Sequence, residues 1–397
     1  MRLATVAAVL LLGAATASAH DFEVNGIYYR INSDGTSVSV TYKGSSYYPS
    51  DKEYSGAVTI PDSVTYGKTY SVTGIYQEAF RNCRGLESVA IPNSVITIGY
   101  KAFYGCSGLT SVVIPNSVTS IGYQAFYGCS SLTSVEIPNS VTSIEWCTFD
   151  GCSGLTSVSI GNSVTSIGGW AFGYCSGLTT IDIPNSVTEI GGWAFYGCSG
   201  LTSVSIGNSV TSIGDCAFSD CSGLTSVEIP NSVTYIGDNA FDGCSGLTSV
   251  VIPNSVTSIG SYAFEGCSGL QKVEISNLEA WCKISFYNVC ANPTYYSHNL
   301  FLNGQEIKNL VIPETVQELK FAAFYGCSGL TSVEIPNSVT SIGGSAFGHC
   351  SGLKSVEIPN SVTGIGDNAF YGCSGLTSVE IPNSVTSIEW CAFANCI

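Results

Sequence analysis

A 23-residue unit recurs along this chain with little drift, and that period constrains the fold before any single residue is read. Its phenylalanine stands at Phe80, Phe103, Phe126, Phe149, Phe172, Phe195, Phe218, Phe241 and Phe264, and after one interruption at Phe324, Phe347, Phe370 and Phe393. A fixed period of about 20 to 50 residues marks a solenoid, in which each unit buries its apolar face only against its neighbours. The 397 residues therefore read as one elongated body, because a solenoid lengthens one core where a globule of this size would divide. Hydrophobic residues make up 45% and charged residues 11%, a balance that suits small repeated cores joined by Ser, Thr, Asn and Gly turns and argues against disorder.

The unit reads Leu-x-x-Val-x-Ile-Pro-Asn-Ser-Val-x-x-Ile-Gly-x-x-Ala-Phe-x-x-Cys-Ser-Gly, as in residues 132–154 with local substitutions. Alternation at Val135-Glu136-Ile137 predicts a short strand with one face buried and one wet. Pro138-Asn139-Ser140 ends it, since Pro presets a turn dihedral and Asn and Ser bond locally to backbone. Residues 141–144 read as a second short extended segment. Ala-Phe-x-x-Cys, too short for a stable helix, reads as a single helical or 3₁₀ turn. The expected fold is a mainly β solenoid whose 23-residue coils stack into a long parallel sheet, with short extended segments and turns on the other side. The strand isoleucine recurs at fourteen places from Ile60 to Ile381, so the sheet would run about 60 to 70 Å.

These residues also carry a likeness. Leu-x-x-Val-x-Ile-Pro-x-Ser-Val-x-x-Ile-Gly-x-x-Ala-Phe-x-x-Cys resembles the BspA-like leucine-rich repeats of bacterial surface proteins, over roughly residues 57–397. The resemblance implies a leucine-rich-repeat solenoid, secreted or cell-surface placement, and adhesion to host proteins or other cells. It implies no catalytic residue, and none transfers, because the matching positions are core positions.

The ends and one interruption depart from the repeat. Arg2, the apolar run Val6-Ala7-Ala8-Val9-Leu10-Leu11-Leu12 and the small residues Ala17-Ser18-Ala19 have the charge, length and cleavage site of a secretory signal over residues 1–19. Residues 20–56 read as an N-terminal β-hairpin cap, with Ile27-Tyr28-Tyr29-Arg30-Ile31 and Ser37-Val38-Ser39-Val40-Thr41 around Asp34-Gly35. Leucine-rich repeats fill residues 57–275, an island interrupts one repeat at 276–309, and repeats resume at 310–397. Within the island, Asn303-Gly304 is a hairpin signal. The island is either a loop used in contact or an aged repeat that the fold tolerates. The last coil reads as incomplete, pointing either to truncation or to an edge that meets a partner.

Net charge is −16, or −17 once Arg2 is removed, which argues against nucleic acid and anionic membranes as partners. No apolar run after the signal is long enough to span a bilayer. The expected location is extracellular, secreted or at the cell surface. Of the 18 cysteines, thirteen share one repeat position and read as an inward column of free thiols acting as small hydrophobes, since stacked side chains point in parallel and do not converge as a bridge requires. Cys147, Cys216, Cys282, Cys290 and Cys391 lie outside that column and are where bridges could form.

Histidine is confined to His20, His298 and His349. No nucleophile-histidine constellation, zinc-type Cys-x-x-Cys or phosphate loop can be assembled, so no catalytic residue, metal or cofactor is assigned. Binding must then come from positions that differ among copies. The outward strand position carries Glu136, Asp182, Glu228, Glu274, Glu334, Glu357 and Glu380. This stripe either receives a basic segment of a host or neighbouring-cell surface protein, binds Ca²⁺ weakly, or only keeps an exposed sheet soluble. Trp146, Trp170 and Trp193 precede the Ala-Phe turn. They suit a protein hot spot or stacking on a glycan, or else cover the flank of the core. A structural spacer or repetitive surface antigen is the remaining alternative.

Overall fold

A computed structural model describes residues 19–43 and 54–396 of the chain. The expected signal, at 1–19, lies outside the described residues apart from Ala19. Each regular coil has three sides. On the first, strands such as Ser134–Ile137 and Ser157–Ile160 pair in parallel and in register, so that Val135 faces Val158 and Ile137 faces Ile160. On the second, the extended segments form a ladder of their own, for example Ser166–Ile167 against Glu189–Ile190. Two parallel sheets therefore run along the molecule.

The third side, the Ala-Phe turn, is also hydrogen-bonded from coil to coil. Lys101 N–H donates to the Tyr123 carbonyl (3.0 Å), Phe103 N–H to Ala125 (2.7 Å) and Gly105 N–H to Tyr127 (2.7 Å). Within the coil, i→i−3 bonds such as Cys106 N–H to the Phe103 carbonyl (3.1 Å) close the expected tight turns. They do not merge into a helix, because the residue two before each phenylalanine is left-handed, with φ of 54° at Lys101 and 57° at Gln124. Glycine is needed where coils approach most closely: a Cβ on Gly108 would stand 2.2 Å from the Arg84 carbonyl oxygen.

Between the three sides lies a continuous apolar core. Phenylalanine rings from Phe80 to Phe264 stack nearly parallel at centroid spacings such as 4.9 Å (Phe80–Phe103) and 5.5 Å (Phe218–Phe241). Full burial of one such ring contributes about 1.5 to 3 kcal/mol. The cysteine column is unbridged and buried apart from the half-buried Cys396; the five cysteines outside it are also unbridged, Cys147 and Cys282 buried and Cys216, Cys290 and Cys391 half-buried. Eleven column thiols donate to the phenylalanine carbonyl of the preceding coil, from Cys106 to Phe80 (2.8 Å) to Cys396 to Phe370 (3.3 Å). A small side chain with a weak donor is what this place requires, which neither Ala nor Val supplies. Burial pushes Cys198 up to about 12, and raises Cys106, Cys221, Cys244 and Cys350 as well, so these thiols stay protonated.

At the N-terminal end, β1 (Phe22–Val24), β2 (Ile27–Ile31) and β3 (Ser37–Thr41) form an antiparallel meander, and β3 joins the second sheet in parallel against residues 68–75. Tyr54 prolongs the phenylalanine stack, 4.6 Å from Phe80, while its hydroxyl donates to the Thr41 carbonyl (2.7 Å) and accepts from Tyr28 N–H (3.1 Å). The stack thus ends in a ring that can also bond to the meander.

Residues 276–309 interrupt both sheets and the phenylalanine stack. They contain α1 (Leu278–Cys282), a 3₁₀ turn (Val289–Ala291), α2 (Thr294–Ser297) and a hairpin of Leu300–Leu302 with Gln305–Glu306. Asn303 and Gly304, at φ 50° and 81°, make its two-residue turn. One side of the segment is packed inward: Trp281, Ile284, Phe286, Ala291, Asn292 and Thr294 are buried. Its side chains take over bonds that regular coils make with backbone. On the upstream side, Asn288 Oδ1 accepts from Tyr262 N–H (3.1 Å) and the Tyr296 hydroxyl from Gly266 N–H (3.1 Å). On the downstream side, Trp281 Nε1 donates to the Ala323 carbonyl (2.8 Å), Asn292 Nδ2 to Ala322 (2.8 Å) and Thr294 Oγ1 to Tyr325 (2.7 Å).

Candidate binding surfaces

The outward position of the first sheet does not form one unbroken carboxylate row. From residue 136 to 274 acids alternate with other residues, because Glu136 pairs with Ser159, Asp182 with Ser205 and Glu228 with Val251. Successive carboxylates are then two strand spacings apart, roughly 9.6 Å. Beyond the island, Glu334, Glu357 and Glu380 stand on adjacent strands, at roughly 4.8 Å. Six of the seven are exposed, and among the described residues none of those six forms an ion pair. Glu274 differs: it pairs with Lys272 (2.6 Å) and accepts from Gly304 N–H (2.5 Å), so the island hairpin holds it. Two acidic fields of different density result, with Glu274 serving as a hairpin anchor.

The three tryptophans also separate. Trp146 is 50% exposed and Trp193 39% exposed. Trp170 is half-buried, stacked on Trp193 at 5.9 Å and 2° and flanked by Tyr174 (5.9 Å) and Tyr196 (5.2 Å). Both Trp170 and Trp193 occupy the left-handed position, at φ 57° and 58°. Such a backbone costs about 1 to 2 kcal/mol for a non-glycine residue, and the stacking and the Trp170 N–H to Gly192 carbonyl bond (3.2 Å) hold it. The left-handed position varies widely through the repeat and is never glycine in the regular coils, so every coil carries a side chain there.

Sequence reasoning missed two groupings on this edge. One is acidic: Asp150 is buried beside Cys147, and burial pushes its carboxyl up to about 6. Asp242 is also raised, by burial and by Asp220 and Glu265. The other is an aromatic row in which Tyr295 stacks on Tyr325 (5.6 Å), and His349 lies edge-on between Tyr325 (5.3 Å) and Tyr371 (5.3 Å). The signal for it was present in the repeat. In the His349 coil the usual Tyr-Gly pair after the phenylalanine is inverted to Gly348-His349, as it is in Gly173-Tyr174.

Among the described residues no three His, Cys, Asp or Glu side chains group to hold a metal ion, and no helix is long and apolar enough to cross a membrane. The columns that repeat from coil to coil fill the core of the leucine-rich-repeat solenoid.

Comparison with known proteins agrees with this geometry. A leucine-rich repeat protein from Bacteroides ovatus shares 28% identity with a TM-score of 0.63, over 95% of this chain and 93% of that one. A leucine rich cell surface protein from Faecalibacterium prausnitzii shares 29% identity with a TM-score of 0.48, over 96% and 94% of the two chains. A search of curated proteins gives no match. The family model described as BspA type leucine rich repeat region (6 copies) matches residues 73–202, 194–297 and 294–397. With most of its length matched in this way, the chain belongs to the BspA-type leucine-rich-repeat family.

Proposed function

We propose that this chain is an exported, non-catalytic binding module that contacts protein at the surface of a host or neighbouring cell through the acidic face of its first sheet. The signal-like residues 1–19 support export. The observation that carries the reading is the run Glu334, Glu357 and Glu380 on adjacent strands, exposed and without cationic partners in the structure. Like charges at this spacing repel, and a lysine- or arginine-rich segment laid across them relieves that repulsion. Glu136, Asp182 and Glu228 continue the same face at lower density.

The test is binding of the purified mature protein to cell surfaces and matrix proteins, with salt titration. Binding should saturate, weaken as salt rises and drop about ten-fold or more in the triple variant Glu334→Gln, Glu357→Gln, Glu380→Gln. Binding that ignores both salt and the triple variant overturns the acidic face. Absence of any saturable binding leaves the spacer or repetitive-antigen reading. A second reading, glycan binding by the tryptophans, draws on the exposure of Trp146 and Trp193. A glycan array unchanged by Trp146→Ala with Trp193→Ala removes it.

A further inference from the structure

Where the island meets the resumed repeats, the surface folds into a concave pocket of ≈ 560 Å³ lined chiefly by Tyr295, Tyr296, His298, Tyr325, His349 and Ser351. Two of the three histidines of the chain meet there, and they come from different elements. His298 ends α2 and His349 sits on a regular coil, 51 positions later by their numbers. We infer that this pocket is a binding site for a neutral oligosaccharide, distinct from the acidic sheet face and from the tryptophan row.

The backbone is specialised to build it. Both histidines are left-handed, at φ 58° and 59°, a conformation that regular coils give to glycine at the position of His349 in most copies. Glycines flank His349 in space. A Cβ on Gly348 would come within 2.8 Å of the Tyr325 ring, and one on Gly372 within 3.0 Å of the His349 ring. The inverted Gly348-His349 pair therefore lets an imidazole enter between two tyrosines at an angle of 64–65° to them. Strained positions of this kind gather where a ligand contact is worth more than local stability. On the island side, the Tyr296 hydroxyl is fixed by Glu265 (3.1 Å) and Gly266 N–H (3.1 Å), and Tyr295 is fixed by stacking on Tyr325. The walls are thus positioned before any ligand arrives.

The lining selects the ligand class. Rings offer apolar surface, while phenol, imidazole and the hydroxyls of Ser328 and Ser351 offer donors and acceptors that switch role easily. A sugar ring has the same division between C–H patches and hydroxyls. No carboxylate, lysine or arginine lines the pocket, so a charged ligand finds no counter-ion in it, although the chain as a whole carries −16. Tyr325 stays protonated, its phenol pushed up to about 12 by burial, and so remains a donor at physiological pH. The volume falls within the range of about 300 to 1,000 Å³ typical of small-ligand sites.

The experiment is a glycan array of neutral hexose and N-acetylhexosamine oligosaccharides probed with mature protein, followed by titration of retained sugars. His349→Gly suits the left-handed backbone and keeps the fold, and it should weaken binding about ten-fold. Tyr295→Ala should do the same, and Trp146→Ala with Trp193→Ala should leave the retained sugars bound. An array without retained neutral sugars overturns the proposal. So does sugar binding that survives His349→Gly and Tyr295→Ala. Loss only in the tryptophan variants would move glycan recognition to the other row, and the Glu334, Glu357 and Glu380 triple variant should not affect sugar at all.

Discussion

A regular coil and the segment 276–309 solve the same problem by different means. Each must cover an apolar cross-section and satisfy the backbone groups of the coils on either side. Regular coils do it with phenylalanine, cysteine and backbone ladders, so any copy fits against any other. The island does it with side chains: Trp281 fills the core edge-on to Phe286 (5.3 Å) and donates to the Ala323 carbonyl, while Asn288, Asn292, Thr294 and Tyr296 reach amides and carbonyls that a regular coil would have met. The first solution extends indefinitely; the second fits one place only. What the difference teaches is that the interruption acts as a splice, and a contact role for it has to rest on the pocket and hairpin it exposes.

The largest expected effect probes the regular side. Phe172→Ala removes a fully buried ring from the middle of a stack in which both neighbours lie 5.4 Å away. The loss should be about 3 to 5 kcal/mol, read as a lowered urea midpoint. A change below about 1 kcal/mol would mean that adjacent coils close over the gap, and that the stack is less rigid than its parallel rings suggest.

The splice should break next. Asn292→Leu removes the amide that serves Ala322 and caps Thr294 (2.9 Å to its N–H), leaving buried polar groups unpaired at about 2 to 3 kcal/mol. Because a solenoid is coupled only between neighbours, the variant should unfold in two transitions, one for each side of the island. A single unshifted transition would show that the side-chain donors are dispensable.

How much of this was legible in sequence follows from the same contrast. Columns that repeat 13 times announce their packing, so the solenoid, the strand at Val135–Ile137 and the unbridged thiols could be read from Leu, Val, Ile, Phe and Cys alone. The ladder on the turn side could not, since it is made by backbone and leaves no residue preference. The roles of Asn292 and Thr294 left no local signal, because their partners lie 30 and 31 positions away. The seven outward carboxylates were visible by alternation, and their division into a sparse and a dense field follows from spacings of two periods before the island and one period after it. His349 met Tyr325 and Tyr371 only once the coils were stacked.

Asp150 offers a counter-case, a buried carboxyl on a regular coil whose bonds to Cys147 and the Gly151 amide do not offset the cost of burial. Its folded pKa, about 6 against an ordinary 3.8, means that folding favours the protonated form. The stabilising protonation is therefore complete below about pH 4 and is lost as pH rises through 6, a change of roughly 3 kcal/mol. Asp150→Asn should raise stability at pH 7 and flatten the slope between pH 4 and 6 in thermal melts. An unchanged slope would place the titration elsewhere.

The finest comparison uses one bond in two settings. Thr294 Oγ1 donates to the Tyr325 carbonyl (2.7 Å) inside the splice, and Thr188 Oγ1 donates to the Thr165 carbonyl (3.2 Å) on the exposed face of the second sheet. Valine replaces threonine with nearly the same shape and no hydroxyl. At 188, water takes the carbonyl and β-branching is kept, so Thr188→Val should change stability by less than about 0.5 kcal/mol. At 294, fully buried, water cannot enter, and Thr294→Val should lose about 1 to 3 kcal/mol. Equal effects at the two sites would mean that the splice admits solvent, and that its side-chain bonds are no more committed than those on the surface.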